Sequence, residues 1–152
     1  ALQDGLRHTL FGTEIVVANG LSDVRMGLSV CYDLRFPALY SALRELGSEL
    51  LLIPAAFTMT TGKDHWEVLL RARAIETQCY VAAAAQAGRH NLHRESFGNA
   101  MIVDPWGRVL ARCSETDGVA CAIVDIDEVR RVRQRMPVWQ HRQAVDGVTA
   151  TK

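Results

Sequence analysis

The stretch "MGLSVCYDLRFPALY", residues 26–40, places a cysteine where an alternating segment gives way to a different pattern. The alternation predicts a strand whose one face is apolar and consists of Val24, Met26, Leu28 and Val30. Cys31 falls on the other face, at the end of this strand. Pro37 suits the first turn of a helix, and Gly47 ends that helix. The sequence therefore predicts a strand-to-helix junction with Cys31 at the junction.

A cysteine at such a junction meets two requirements of a nucleophile. The junction holds the sulfur at the edge of the sheet, and the backbone N–H of Tyr32 can donate to an oxyanion. A structural cysteine that ends a strand gives the same pattern, so the residues alone leave both interpretations open. The other cysteines are widely spaced without a Cys-x-x-Cys pair, which indicates neither a zinc site nor a disulfide framework: Cys79, Cys113 and Cys121.

A second strand and helix follow the first pair. The run "ELLLIPAA" predicts a buried strand, and a long helix is predicted from Asp64, with Asp64 and Glu67 as its capping pair. The predicted apolar stripe of this helix is Val68, Leu69, Ala72, Ile75 and Cys79. Ala56 and Phe57 end the strand beside the cysteine strand, where parallel sheets bind ligands. Pocket lining and core packing both remain open for these two residues.

The remaining pattern changes to strands and turns. "YVAAAAQ" predicts a strand covered on both sides, residues 88–99 predict a polar loop, and Asp104–Gly107 predicts a hairpin turn. A further strand is expected in "GVACAIVDID", followed by a short helix from Asp127. Alternating strands and helices followed by hairpins indicate an α/β or α+β layered fold. We expect one domain over residues 1–142 and a tail over residues 143–152.

Composition narrows the class of protein. The 152 residues are 49% hydrophobic and 22% charged, and 17 Lys plus Arg balance 17 Asp plus Glu, so no net field favours nucleic acid or a membrane surface. No apolar run is long enough to span a bilayer, so a cytoplasmic location is expected. The run "DEVRRVRQRM" predicts an amphipathic helix with a solvated basic face, because no aromatic residues interleave its arginines for base stacking.

Several charged residues near the junction and on the long helix have candidate partners. Asp33 and Arg35 are predicted to form an ion pair, and a direct substrate role for Arg35 stays open. Arg71 and Arg73 suit a network with Glu76, with binding of a substrate carboxylate as the alternative.

Three segments together resemble the nitrilase superfamily of carbon–nitrogen hydrolases: "GLSVCYDLRFPALYSALRELGSELLLIPAAF", "HWEVLLRARAIETQCYVAAAAQAGRH" and "FGNAMIVDPWGRVLARC". The resemblance runs from about Val17 to Arg142 and is greatest to the branch that includes deaminated glutathione amidases and ω-amidases. It implies a four-layer α-β-β-α sandwich and catalysis without metal or cofactor. Through "MPVWQHR", it also implies at least a homodimer of complete chains.

The resemblance also implies a Glu-Lys-Cys triad. Cys31 matches the nucleophile, the backbone amide of Tyr32 matches the oxyanion donor, and Ala56 and Phe57 lie where substrate would bind. The implied reaction releases ammonia from a small carboxylate-bearing amide, such as deaminated glutathione, through a cysteine thioester.

The chain departs from this pattern upstream of the cysteine. In the superfamily the base and the lysine precede the nucleophile, but the 30 residues before Cys31 contain no lysine and only one glutamate, Glu14. Lys63 lies downstream in a polar loop, where a solvated lysine is the simpler interpretation. The sequence therefore looks like the C-terminal half of the sandwich. It is expected either to be inactive alone as part of an amidase, or to be a non-catalytic interaction module or half of a split enzyme.

Overall fold

A computed structural model describes residues 15–19 and 23–142. Its strands are β1 Val17–Asn19, β2 Arg25–Leu28, β3 Leu50–Leu52, β4 Tyr80–Ala83, β5 Ala87–Arg89, β6 Glu95–Phe97, β7 Met101–Val103 and β8 Val109–Arg112. Its α-helices are α1 Pro37–Glu45, α2 Met59–Thr61, α3 Glu67–Thr77, α4 Ile126–Arg135 and α5 Val138–His141. A 3₁₀ turn spans Cys31–Arg35, and a π-helical turn spans Gly62–Trp66.

Six of these strands form one mixed sheet in the order β1-β2-β3-β4-β7-β8. β2, β3 and β4 are parallel, with Gly27 opposite Leu51 and Leu51 opposite Val81. The crossovers between them carry α1 and α3, as parallel neighbours require. β1, β7 and β8 pair antiparallel, and β5 and β6 form a separate hairpin. The predicted layered α/β class is confirmed.

One face of the sheet packs on α1 and α3 and forms the core. Leu51 and Val81 on the strands are fully buried against Leu43 of α1 and Leu70 of α3. Trp66 is also fully buried, and its indole Nε1 donates to the carbonyl of Asn99 at 2.8 Å. Trp66 therefore packs in the core.

The opposite face of the sheet is apolar but uncovered by the described residues. Leu28 and Val30 point to this face and are 41% and 48% exposed. A groove of about 480 Å³ runs over β3, β4 and β7 on this side, and the segment that includes Val119 borders it. Tyr80–Ala83 of "YVAAAAQ" form the predicted strand. Its core face is covered at Val81 and Ala83, whereas its second face is covered at Tyr80 and open at Ala84.

The long helix differs from its prediction in its start and in its buried face. Helical structure begins at Met59, before the predicted start at Asp64. Asp64 lies inside the π-helical turn, and its side chain does not cap a helix there. Val68 and Ile75 of the predicted apolar stripe are 65% and 45% exposed. The buried face instead contains Leu70, Arg73, Ala74 and Thr77. Hydrogen bonds satisfy the two polar residues there. Leu69 and Cys79 of the predicted stripe do contribute to the core, so the prediction is wrong for Val68 and Ile75.

The C-terminal third confirms the turn and the last helix but corrects two segments. The Gly107 N–H donates to the Asp104 carbonyl at 2.9 Å, as the hairpin prediction requires, and α4 begins one residue before Asp127. The predicted polar loop over residues 88–99 contains most of the β5–β6 hairpin. The strand predicted in residues 118–127 is wrong, because no described strand edge pairs with it; Val119 and Ile123 are both 89% exposed.

Three further predictions concern the basic helix, the C-terminal tail and membrane-spanning segments. Arg130 and Arg131 of α4 are solvated and pair with nearby acids: Arg130 with Asp127, and Arg131 with Asp125 and Glu128. Arg133 of the same helix is half-buried, and its Nη2 donates to the Ser48 carbonyl at 2.7 Å. The tail predicted over residues 143–152 lies outside the described residues. No helix in the described ranges is both long and apolar enough to cross a bilayer.

Candidate active site

Cys31 opens the 3₁₀ turn that joins β2 to α1, as the junction predicts. Its φ of 49° lies in the left-handed region, which is unfavourable for a residue with a Cβ. The Cys31 N–H donates to the carbonyl of Pro54 at 2.8 Å, so the end of β3 fixes the turn from the side. The thiol-bearing residue is half-buried.

Asp33 stabilises this turn from within. Its Oδ2 accepts from the Val30 N–H at 2.8 Å, while its Oδ1 is buried without a hydrogen-bond donor. Burial raises the pKa of Asp33 above its ordinary value, and the hydrogen bond from Val30 opposes that rise. The predicted ion pair with Arg35 is wrong, because the Asp33 carboxylate points into the turn and no salt bridge of the described residues joins the two.

Tyr32 offers its backbone N–H directly after the cysteine. None of the hydrogen bonds among the described residues uses this N–H, whereas the neighbouring N–H groups of Cys31 and Asp33 both have backbone acceptors. The Tyr32 side chain is 54% exposed. The turn therefore presents an available backbone donor beside the thiol.

A cleft of about 450 Å³ opens beside Cys31. It lies at the carboxyl ends of the three parallel strands, where ligands collect in such sheets. Alanines dominate its walls and leave room for a small molecule. Its lining consists of Val30, Cys31, Pro54, Ala55, Ala56, Ala84, Ala85 and Gln86.

The structure separates the two residues predicted beside the cysteine. Ala56 lines the cleft, whereas Phe57 is 6% exposed and packs against Trp66 with ring centroids 4.9 Å apart. The guanidinium of Arg35 lies 5.0 Å from the Phe57 ring centroid and 5.5 Å from that of Tyr32. Phe57 thus contributes to the core and supports Arg35, and direct substrate contact by Phe57 stays a prediction.

Arg35 and His65 meet near the mouth of the turn. Arg35 Nη1 lies 3.2 Å from His65 Nδ1, and His65 itself is exposed on the π-helical turn. Among the salt bridges of the described ranges, none involves Arg35. A guanidinium that lies near two aromatic rings and has no carboxylate partner can bind an anion.

The described part of the cleft contains neither a carboxylate nor a lysine. Lys63 is exposed on the π-helical turn and does not line the cleft, in agreement with its prediction as a solvated residue. Glu14 lies outside the described residues. Of the implied triad, the described cleft residues include the cysteine but no glutamate and no lysine.

Sequence reasoning did not assign any role at the turn to Arg73, Tyr40 or Ser29. Arg73 is buried on α3 and donates to the Leu34 carbonyl, and the Tyr40 hydroxyl lies 2.8 Å from Ser29 Oγ. The predicted pairing of Arg73 with Glu76 is confirmed at 2.8 Å. The sequence contains one signal for the contact between Arg73 and Leu34: Arg73 is an arginine on the face of α3 that packs toward the sheet.

Comparison with known proteins identifies the family of this chain. The profile of the carbon–nitrogen hydrolase family matches residues 3–134. The chain belongs to the carbon–nitrogen hydrolase family. Human deaminated glutathione amidase is 58% identical over 119 residues, which cover 78% of this chain and 36% of that protein. The chain thus spans about a third of the length of this relative.

Two solved structures of the nitrilase superfamily extend the comparison. The crystal structure of the C. elegans NitFhit protein is 51% identical with a TM-score of 0.83, over 87% of this chain and 32% of that chain. An amidase from Nesterenkonia sp. AN1, solved with acrylamide added to its active-site cysteine, is 25% identical with a TM-score of 0.65. That match covers 84% of this chain and 49% of the amidase.

Proposed function

We propose that this chain supplies the nucleophile half of an amidase that releases ammonia from a small carboxylate-bearing amide such as deaminated glutathione. The observation that carries the proposal is the position of Cys31. Its backbone is in the left-handed region, and it lines a cleft at the carboxyl ends of three parallel strands. The similarity to deaminated glutathione amidases supports the substrate class.

The proposed reaction begins when the Cys31 thiolate attacks the amide carbon. A carbon–sulfur bond forms, and the carbonyl π electrons move to oxygen, where the Tyr32 N–H donates to the developing charge. Collapse of this intermediate breaks the carbon–nitrogen bond, and the nitrogen leaves as ammonia after it gains a proton. Water then attacks the thioester, which gives the carboxylate and returns the proton to the sulfur.

A base must accept the thiol proton and later activate water, and a cation must assist the oxyanion. The described cleft residues offer neither group. The proposal assigns both to residues outside the described cleft, and the match to the human relative covers 36% of that protein. The described segment alone is then expected to show little or no turnover.

Arg35 is the residue we assign to the substrate's carboxylate. It lies four positions after the nucleophile, between the rings of Tyr32 and Phe57, and it has no salt-bridge partner in the described ranges. Substitution Arg35→Lys removes the planar fork, so KM for the carboxylate substrate should rise about 10-fold. An amide of similar size without the carboxylate should keep its KM, and equal losses on both amides would contradict this assignment.

The central test replaces the nucleophile in the full-length protein that carries this sequence. Cys31→Ala should lower kcat/KM for ammonia release from deaminated glutathione by at least about 1,000-fold. Cys121→Ala is the matched control, because Cys121 is an exposed thiol outside the cleft, and it should leave the rate unchanged. Full turnover by Cys31→Ala would refute the proposal.

A second candidate function is a non-catalytic interaction module. The observation that favours it is the apolar sheet face, where Leu28 and Val30 are exposed beside the groove of about 480 Å³. Apolar faces of this extent mark binding surfaces. If the natural protein proves no longer than this chain, and remains inactive but associates through this face, this function replaces the amidase.

We propose a cytoplasmic location and at least a homodimer of complete chains. The first proposal is the expectation drawn from the sequence, whose longest apolar runs are too short to span a bilayer. The resemblance of "MPVWQHR" to a subunit-interface segment supports the second. Light scattering on the full-length protein tests the assembly, and a monomer would contradict it. Fractionation of the source cells tests the location, and recovery in the membrane or secreted fraction would contradict it.

A further inference from the structure

The left-handed conformation at Cys31 needs support from its surroundings. Strained backbone persists only where neighbouring contacts fix it, and the residues around Cys31 have several such contacts. The Cys31 N–H is held by Pro54, and the Val30 N–H is held by Asp33. These contacts act at the turn itself or from the adjacent strand end.

A further contact comes from helix α3. Arg73 is buried, and its Nε and Nη2 donate to the carbonyl of Leu34 at 3.0 and 2.7 Å. Its Nη1 donates to Glu76 Oε1 at 2.8 Å, which fixes the orientation of the fork. Two hydrogen bonds from one rigid guanidinium therefore determine where the fourth residue of the 3₁₀ turn lies.

Tyr40 connects the same guanidinium to the other side of the cysteine. The Arg73 guanidinium carbon lies 5.2 Å from the Tyr40 ring centroid, and the ring is fully buried. The Tyr40 hydroxyl is 2.8 Å from Ser29 Oγ, and the Ser29 N–H donates to Leu52 at 3.1 Å. Arg73 and Tyr40 thus reach the chain two residues before Cys31 and three residues after it.

We infer that Arg73 is a positioning residue that, with Tyr40, holds the Cys31 turn in the geometry needed for attack on the substrate. This inference rests on the proposed amidase function. Arg73 does not touch the cleft and acts through the Leu34 carbonyl. Without the guanidinium, this buried carbonyl loses both donors, and the turn can move to satisfy it.

The variants are Arg73→Lys, which keeps the charge but not the fork, and Tyr40→Phe, which removes only the hydroxyl. Arg71→Lys is the matched control, because Arg71 lies on the same helix but is 49% exposed and donates one bond to Gly107 at 2.8 Å. In the full-length protein we expect Arg73→Lys to lower kcat about 10- to 100-fold with little change in KM. Tyr40→Phe should have a smaller effect in the same direction.

The rate of Cys31 alkylation distinguishes a positioning role of Arg73 from a role in the stability of the fold alone. Its rate with iodoacetamide, followed by peptide mass spectrometry across pH, should change in Arg73→Lys while the melted fraction at the assay temperature stays negligible. Arg71→Lys should alkylate as the wild type does. Unchanged kcat and unchanged alkylation in both Arg73→Lys and Tyr40→Phe, with only a lower melting temperature, would overturn the inference.

The two proposals fail separately. Turnover retained by Cys31→Ala would refute the amidase proposal, although alkylation would still report whether Arg73 fixes the thiol. Loss of turnover in Cys31→Ala with wild-type behaviour in Arg73→Lys would refute only the positioning role. If Arg73→Lys does not fold, Tyr40→Phe decides the matter, since it deletes one oxygen atom from the network.

Discussion

The two faces of the six-stranded sheet are both apolar, yet only one is covered in the described residues. On the face toward α1 and α3, Leu51 and Val81 are fully buried, whereas Leu28 and Val30 on the opposite face are 41% and 48% exposed. Alternation along a strand shows which residues share a face. It does not show which face is covered, because the covering elements come from elsewhere in the sequence.

β2 makes this difference most visible, because its small residues face the core and its large apolar residues face outward. A Cβ at Gly27 would lie 2.7 Å from Ser48 Oγ and 3.3 Å from Leu43 Cδ1, so α1 packs too closely for a larger residue. Ser29 is also buried on this side. Close helix packing therefore requires small residues, and the outward apolar residues require another covering layer, as the implied four-layer sandwich would provide.

The largest expected effect is a difference in the free energy of unfolding between two leucines. Leu51→Ala should cost about 2–5 kcal/mol, because it leaves a cavity in the covered core. Leu28→Ala should cost less than about 1 kcal/mol in the 152-residue chain, because the side chain is 41% exposed. Urea unfolding of both variants measures this difference. Equal costs would show that both faces are covered in solution.

Self-association provides a second test of the uncovered face. Leu28→Lys should weaken association of the isolated chain about 10-fold, because a charge replaces an apolar contact. Val68→Lys is the control, since Val68 is 65% exposed on α3, away from the uncovered face. Light scattering over a concentration series measures both. Equal weakening by the two variants would indicate that association does not use the sheet face.

The smallest expected effect concerns Asp33 on the covered side. Burial raises its pKa in the folded state above the ordinary value of 3.8, so the folded state holds this proton more tightly than the unfolded state. The stability that this group contributes is therefore present below about pH 3.8 and is lost as pH rises through the raised pKa. Asp33→Asn cannot titrate and still accepts from the Val30 N–H.

Urea unfolding of Asp33→Asn and wild type across pH 3–7 measures this effect. As pH rises, Asp33→Asn should become more stable relative to the wild type, because the wild type loses the contribution of its protonated carboxyl. A difference that moves the other way would mean that the folded state stabilises the ionised carboxylate.

The junction at Cys31 could be predicted from sequence because its signals are local. Alternation ends at the cysteine, Pro37 begins the helix, and Gly47 ends it, so local signals are enough to place the junction in the sequence. Its conformation also depends on contacts from the end of β3 and from α3. The position of Ala56 in the cleft also follows, because carboxyl ends of adjacent parallel strands meet at one edge.

The errors occur where hydrogen bonds or strand pairing, rather than hydropathy or proximity in sequence, decide what a residue contacts. Arg73 and Thr77 lie on the buried face of α3 because hydrogen bonds satisfy them there, and a hydropathy pattern cannot include those bonds. Alternation in residues 118–127 predicts a strand, but a strand also requires an edge to pair with. Asp33 was assigned to Arg35 by sequence proximity, yet its carboxylate accepts from the Val30 backbone instead.

The most direct measurement of the central claim is the capture of an acyl-enzyme. The full-length protein would be mixed with deaminated glutathione, quenched in acid within one turnover and digested for mass spectrometry. The account predicts a thioester on the peptide that contains Cys31, with ammonia released in equal amount and no adduct in Cys31→Ala. Turnover without an adduct on Cys31, or an adduct confined to Cys113 or Cys121, would contradict it.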